Sequence, residues 1–188
     1  MKFRIALLLL AALLLVSCHK PADISDSLGI GRHTVMEEKN DSIDVNFEAS
    51  YTRTDGYIEK KTYPHVTVIN SRAELEKYTA DYEGQYNFYH TADSKGFYDV
   101  VTPYDAVFFA DNSLIMILLE EGSGSVRHEV SGIQYKDGET TIEISRIVPT
   151  GDATDDMAEW HVVIEIEKTS PVLENPDGIK VKFVNSNN

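Results

Sequence analysis

A chain of 188 residues with 17 Lys and Arg against 31 Asp and Glu carries a formal net charge of −14. That balance excludes nucleic acid and anionic lipid headgroups as electrostatic partners, since both are bound through clustered cations. The length suits one domain with a proper core, and the single cysteine, Cys18, excludes an internal disulfide.

The chain opens on a basic stretch, Met1-Lys2-Phe3-Arg4, followed by twelve apolar residues from Ile5 to Val16. A spanning helix needs about 20 apolar residues, so this run is too short to cross a bilayer and fits the apolar region of a secretory signal. It ends on Leu15-Val16-Ser17-Cys18, which resembles the lipobox of bacterial lipoproteins. The resemblance implies a signal peptide over residues 1–17, acylation of Cys18, and a chain tethered by lipid to the extracytoplasmic face of the cell envelope. His19 stands where some two-membrane bacteria place an inner-membrane retention aspartate. Residues 18–42 are polar and irregular and read as a lipidated, flexible tether ahead of a domain over 43–188.

Ile43 to Arg53 alternates apolar odd positions with polar even ones, which predicts a strand with one buried face. Thr54-Asp55-Gly56 is a turn signal, Tyr57–Tyr63 a charged return strand suited to a sheet edge, and His65–Asn70 a short strand. Ser71 followed three residues later by Glu74 is a capping box. It opens a helix whose Leu75, Tyr78 and Tyr82 share a face and which Gly84 ends. Residues 85–101 are aromatic and irregular, and Thr102-Pro103 predicts a short helix over Tyr104–Ala110.

The second half reads as strands. Leu114–Leu119 is wholly apolar, as in a central strand covered on both faces. Val126–Tyr135 is a strand with a bulge near Gly132, Asp137-Gly138 a two-residue hairpin turn, and Thr141–Val148 the return. An acidic loop over Pro149–Ala158 leads to Glu159–Lys168, with Trp160, Val162, Ile164 and Ile166 on one face, and Ile179–Phe183 closes the domain. The class is α+β: mainly antiparallel sheet, sandwich-like, with one or two short helices.

Candidate chemistry is sparse. Asp152, Asp155, Asp156 and Glu159 are hard oxygen ligands close enough in sequence to suggest calcium, but the EF-hand spacing is missing, and a solvated acidic loop is the expectation. No zinc-ligand spacing occurs among the histidines. His128, between Val126 and Val130, is expected to be a hydrogen-bonded core residue; His161, opposite in face to Trp160, is expected nearer solvent. Gly122-Ser123-Gly124-Ser125 lacks the lysine of a phosphate loop and the last glycine of a nucleophile elbow. No catalytic pair is nominated, and no metal or other cofactor is expected. The aromatic run from Tyr78 to Tyr104 reads first as a satellite core pinning an irregular segment. Tyr86, Phe88, Tyr89 and Tyr98 within it are the leading candidates for a partner surface, since tyrosine adds contact area at low entropy cost.

Val68-Ile69-Asn70-Ser71-Arg72-Ala73-Glu74-Leu75 is similar to the strand-then-helix opening of the PrcB-like domain family, named for a lipoprotein subunit of a surface protease complex. The order of apolar strand at Leu114, glycine loop, Lys136–Glu139 hairpin, Val148-Pro149 and Glu159–Lys168 strand also resembles that family, across residues 66–183. The chain departs from that family where it tends to a Gly-Gly-Tyr-like turn, having Ser125-Val126-Arg127-His128 instead; Arg127 and His128, at this Gly122–His128 position, are further binding candidates. The resemblance implies a non-catalytic binding or accessory role at the cell surface with an extracytoplasmic protein partner. A carbohydrate-active or other hydrolase using surface carboxylates, and a structural envelope lipoprotein, are the alternatives.

Overall fold

The computed structural model describes residues 42–56, 61–89, 95–151 and 154–185. The expected signal peptide, Cys18 and nearly all of the expected tether lie outside the described residues. Eight strands form two four-stranded sheets. Strands β1 (Ile43–Asp44), β5 (Arg127–Lys136), β6 (Glu139–Ile147) and β8 (Ile179–Asn185) make the first, in the order β1-β5-β6-β8. Strands β2 (Glu48–Arg53), β3 (His65–Ile69), β4 (Asn112–Glu121) and β7 (Ala158–Glu167) make the second, in the order β2-β7-β4-β3. Every pairing is antiparallel except β6 with β8, which is parallel. The α+β, sheet-rich class is therefore the one expected.

The sheets face each other across a core built from Ile117, Leu119, Ile142, Ile144, Val162 and Ile164, all with no more than 1% of their surface exposed. The other face of the second sheet carries a second core, where Leu114, Met116, Leu118 and Val163 meet Leu75, Tyr78, Phe88 and Phe97. β4 thus buries both faces, as its uninterrupted apolar run predicts. Each such side chain contributes about 1.5–3 kcal/mol by leaving water. The covering layer holds α1 (Arg72–Tyr82), α2 (Phe97–Val101) and α3 (Phe108–Asp111). Among the described residues, no helix is long and apolar enough to cross a membrane.

Local signals mostly produced the elements they promised. The Glu74 N–H donates to Ser71 Oγ at 3.2 Å, while the Glu74 carboxylate reaches back to the N–H of Asn70, one residue before the cap. Asp137 and Gly138 both take positive φ, 53° and 83°, as a tight hairpin needs. The bulge between Val130 and Gly132 switches the inward parity of β5 from His128 and Val130 to Ile133 and Tyr135.

Other expectations need correction. Ile43–Arg53 is not one strand: β1 pairs with β5 in the first sheet, β2 with β7 in the second, and Val45 and Phe47 cross between them still facing the core. Period-two alternation cannot reveal that crossing, because parity is kept throughout. Of the expected return strand Tyr57–Tyr63, residues 57–60 lie outside the described residues and 61–63 are irregular, while Gly56 instead bridges to Tyr86. The helix expected over Tyr104–Ala110 is displaced. Phe97–Val101 is helical with Thr102 as its C-cap, and Asp105, whose Oδ1 accepts from the N–H groups of Val107 and Phe108, opens only the short α3. Gly84 follows the end of α1 without a left-handed φ.

Candidate functional site

Strand direction sorts the loops onto two ends. β4, β2 and β6 finish, and β5 and β7 begin, at the end that carries the Gly122–Val126 loop and the acidic loop. β1 enters at the other end, where Ile43 lies beside Tyr135 near the hairpin. At the loop end, polar side chains close the mouth of the intersheet core.

Glu121 has the same inward parity as Ile117 and Leu119, and only 4% of its side chain is exposed. Its Oε1 lies 2.8 Å from His128 Nε2, and it accepts from Arg146 through both oxygens, at 2.9 and 2.5 Å. Burial alone would raise the Glu121 carboxyl; the hydrogen bonds from Arg146 and His128 outweigh it and hold the group below its ordinary value. Burial also pushes His128 down, against the pull of Glu121. The resting arrangement is therefore a carboxylate ion-paired with Arg146 and hydrogen-bonded to a neutral imidazole. Trp160 packs edge-on to His128 with centroids 5.6 Å apart, and the Arg127 guanidinium sits 5.2 Å over the Trp160 ring. His128 Nδ1 and Trp160 Nε1 are buried with no hydrogen-bond partner among the described residues.

Arg53, at the end of β2, ties three loops together. Its Nε donates to Asp55 at 2.7 Å and its Nη2 to Asp156 at 2.8 Å. Asp156 in turn accepts the N–H of Gly124 at 3.1 Å. Hydrogen bonds from Thr154, Arg53 and the Gly124 N–H pull the Asp156 carboxyl down to about 2. Gly124 sits close to both: a Cβ there would stand 2.3 Å from Arg53 Nη1 and 2.5 Å from Asp156 Oδ2, so those two side-chain ends would have to move. Ser123, Ser125 and Thr154 hydroxyls bridge the same two loops. From Asp55 the connection continues into the aromatic segment, where Asn87 N–H donates to the Asp55 carbonyl and Thr52 Oγ1 to the Lys95 carbonyl.

Within this frame the sequence candidates separate. Arg127 and His128 come together with Glu121, Arg146 and Trp160. Tyr86, at 4% exposure, and Phe88, at 0%, are core residues, so they support a surface rather than form one. Tyr89 is 64% exposed and leans on Tyr98 at 5.4 Å; Tyr98 donates to Glu83, which pushes its hydroxyl up to about 12. Of the calcium candidates, Asp152 lies outside the described residues, Asp155 is exposed, and Asp156 is committed to Arg53 and Gly124. No group of His, Cys, Asp and Glu among the described residues is placed to hold a metal ion.

His161 overturns its expectation of solvent proximity. It is fully buried in a box of Tyr78, Tyr86, Phe88 and Phe97, with Nδ1 2.5 Å from Thr54 Oγ1, and burial drives it well below the usual imidazole range. The alternation correctly put it opposite Trp160, but the second core covers that face too. The sequence reading also missed Arg53, Glu121, Arg146 and the pair Glu120–Glu159. A readable signal existed for two of them, since Glu121 and Arg146 fall on the inward parity of their strands.

The loop end also exposes apolar side chains: Ile147 at 38%, Val148 at 51% and Met157 at 61%. They flank both ends of the acidic loop, beside Arg127, whose register partner is Ile147. No protein-family model matches the chain, and no curated protein and no solved structure matches it either.

Proposed function

We propose that the chain is a lipid-anchored extracytoplasmic binding or accessory module, held to the membrane through Cys18, that contacts a protein partner with its loop end. A subunit of a surface protease complex, as the resemblance to the PrcB-like domains implies, is the specific form of this reading. One observation carries it: exposed Ile147, Val148 and Met157 stand beside loops cross-tied by Arg53, Asp156 and Gly124. Loops held this way lose little entropy on association, and exposed apolar groups next to arginine suit the centre of a protein interface. The domain's first described strand enters at the end opposite the loop end.

Two measurements test the reading. Detergent-extracted protein should show the mass of a diacylglyceryl group on Cys18 with residues 1–17 removed; an intact unacylated chain contradicts the anchor. In a pull-down from solubilised membranes, Val148→Asp with Met157→Asp should release a stoichiometric partner that the exposed-site control Val107→Asp retains. Equal retention by both variants rejects the loop end.

A hydrolase is the second reading, favoured by a separate observation. Glu120 and Glu159 are directly opposed on β4 and β7, and burial raises the Glu159 carboxyl while Glu120 is exposed. The Tyr63 and Tyr86 hydroxyls meet 2.8 Å apart beside them. Carboxyl groups in unlike environments are the pattern of an acid and its partner carboxylate. Turnover of a glycan panel, abolished by Glu159→Gln, would establish it; no turnover by the folded wild-type protein removes it.

A further inference from the structure

Each sheet of the sandwich ends on strands that are paired on one side, and the four edge strands are β1, β2, β3 and β8. β8 is the longest of them, with seven residues against two, six and five. It runs beside β6 without a bulge, from Ile179 opposite Thr140 to Asn185 opposite Arg146, and it contains no proline or glycine. Its outer side meets no other strand among the described residues. Alternate backbone N–H and C=O groups on that side are a template for a further strand.

Lysine is a common guard of such an edge, and β8 has two. Both are drawn back over their own sheet: Lys180 Nζ donates to Glu139 and Lys182 Nζ to Glu143, each at 2.7 Å. On the inner face Ile179, Val181 and Phe183 stand beside Thr140, Ile142 and Ile144 of β6. Burial fades along that row. Ile179 is 9% exposed, Val181 is half-buried, and Phe183 is 42% exposed although Ile144 beside it is fully buried. The intersheet core therefore runs out at this edge and leaves a phenyl ring in water, with about 150–250 Å² of side-chain surface to bury.

We infer that the β8 edge pairs with the β8 edge of a second copy of this chain, antiparallel about a two-fold axis at Phe183, so that two four-stranded sheets join into one. The strand's own sequence selects both occupant and register. Directly opposed residues in a continuous sheet share a face, so an overlap of at least five residues puts the axis at Val181, Lys182 or Phe183. An axis at Val181 sets Lys180 against Lys182, and one at Lys182 sets that lysine against itself; like charges so opposed are destabilising. An axis at Phe183 opposes no like charges. It sets Lys182 against Val184 and lays the two exposed rings on each other. A strand that complements itself in one register suits a two-fold contact. Glu139 and Glu143 neutralise both lysines, so in a chain of net charge −14 this is an edge where two copies repel little. Five paired residues bury less than the roughly 1,200 Å² of a standard interface, so the dimer is weak, with a dissociation constant of about 10 µM to 1 mM. The inference rests on the margin of the first sheet and does not depend on the partner proposed for the loop end.

The test is sedimentation equilibrium of the full chain in density-matched detergent, from about 1 µM to about 1 mM. A reversible monomer–dimer equilibrium is expected, tightened by salt because screening relieves the net negative charge. Phe183→Asp should weaken it about tenfold, while Val107→Asp, the same charge change at an exposed site on the helical side, should alter it less than about twofold. Position 184 tests the register. Val184→Glu places an acid against Lys182 of the second copy and should tighten the dimer about threefold, and Val184→Lys should weaken it about threefold. Net charge alone would act the other way in both, since Glu adds to the repulsion between copies and Lys reduces it. Should a thermal melt show Phe183→Asp to be unfolded, the two Val184 variants decide alone. A wild-type chain still monomeric at the highest concentration, a dimer untouched by folded Phe183→Asp, or Val184 variants that follow net charge would each overturn the inference.

Discussion

The ion pairs around Arg53 and Glu121 at one end of this sandwich contrast with the Glu48–Glu165 pair at the other. At the loop end, Arg53 meets Asp55 and Asp156, and Arg146 meets the buried Glu121; at the opposite end of β2 and β7, Glu48 faces Glu165 with no cation in ion-pair distance among the described residues. Both ends draw on one acidic composition, so composition does not explain the contrast. Placement does. At the loop end, Glu121 lies at an inward strand position and Asp156 against glycine backbone, where an unpaired carboxylate would be costly, and arginines sit at the adjacent strand ends. At the opposite end Glu48 and Glu165 stay in contact with water, which tolerates repulsion at a few tenths of a kcal/mol. The loop end is locked by ion pairs around Arg53 and Glu121, although its Glu120 and Glu159 also oppose each other with no cation in ion-pair distance among the described residues.

Breaking the locked end should produce the largest effects. Phe88→Ala removes a ring with no exposed surface from between Phe97, Tyr86 and His161, and should cost about 3–5 kcal/mol in urea denaturation. Tyr89→Ala, one residue on and 64% exposed, should fall within about 0.5 kcal/mol of wild type. Arg146→Met leaves Glu121 buried without its ion-pair partner. Partial exposure of Arg146 places the cost just below the roughly 3–5 kcal/mol typical of breaking a buried pair, at about 2–3 kcal/mol. Gly124→Ala must shift the ends of the Arg53 and Asp156 side chains and should cost about 0.5–1 kcal/mol, with faster amide exchange at residues 122–126 as the local signature.

Acid should also find the locked half first. Above pH 6.5 His161 is neutral in both folded and unfolded chains and contributes nothing to pH dependence. Below it the unfolded chain takes up a proton that the buried imidazole refuses, so stability is lost as pH falls. His161→Phe, though it strands the Thr54 hydroxyl, should flatten that acid limb of a melting-temperature profile; an unchanged slope would contradict the assignment. The smallest effect belongs to the open end, where Glu48→Gln should raise stability by about 0.2–1 kcal/mol by relieving its opposition to Glu165.

How far the sequence could be read follows from which rules are local. The Ser71 cap, the Asp137-Gly138 hairpin, the bulge and the doubly covered β4 were legible because each depends on residues within a few positions. The transfer of the chain from β1 to β2 and the parallel pairing of β8 with β6 were not, since neither changes side-chain parity. Burial of His161 was hidden for a related reason: alternation names a face but not what covers it. The aromatic segment was recognised, yet its rings point mostly into that cover, leaving Tyr89 and part of Tyr98 outside. At the candidate site Arg127 and His128 were visible, while Glu121 and Arg146 joined them through inward parity on separate strands, a long-range coincidence.

The role of the locked end is open to one direct measurement. A photo-crosslinking amino acid placed at Met157 in the full-length protein, and in parallel at exposed Val107 on the helical side, would be activated in intact membranes and its adducts resolved by mass. A single protein adduct at 157 with none at 107 is the expected result for an interaction surface at the loop end. Adducts of equal yield at the two positions, or at 107 alone, would contradict it.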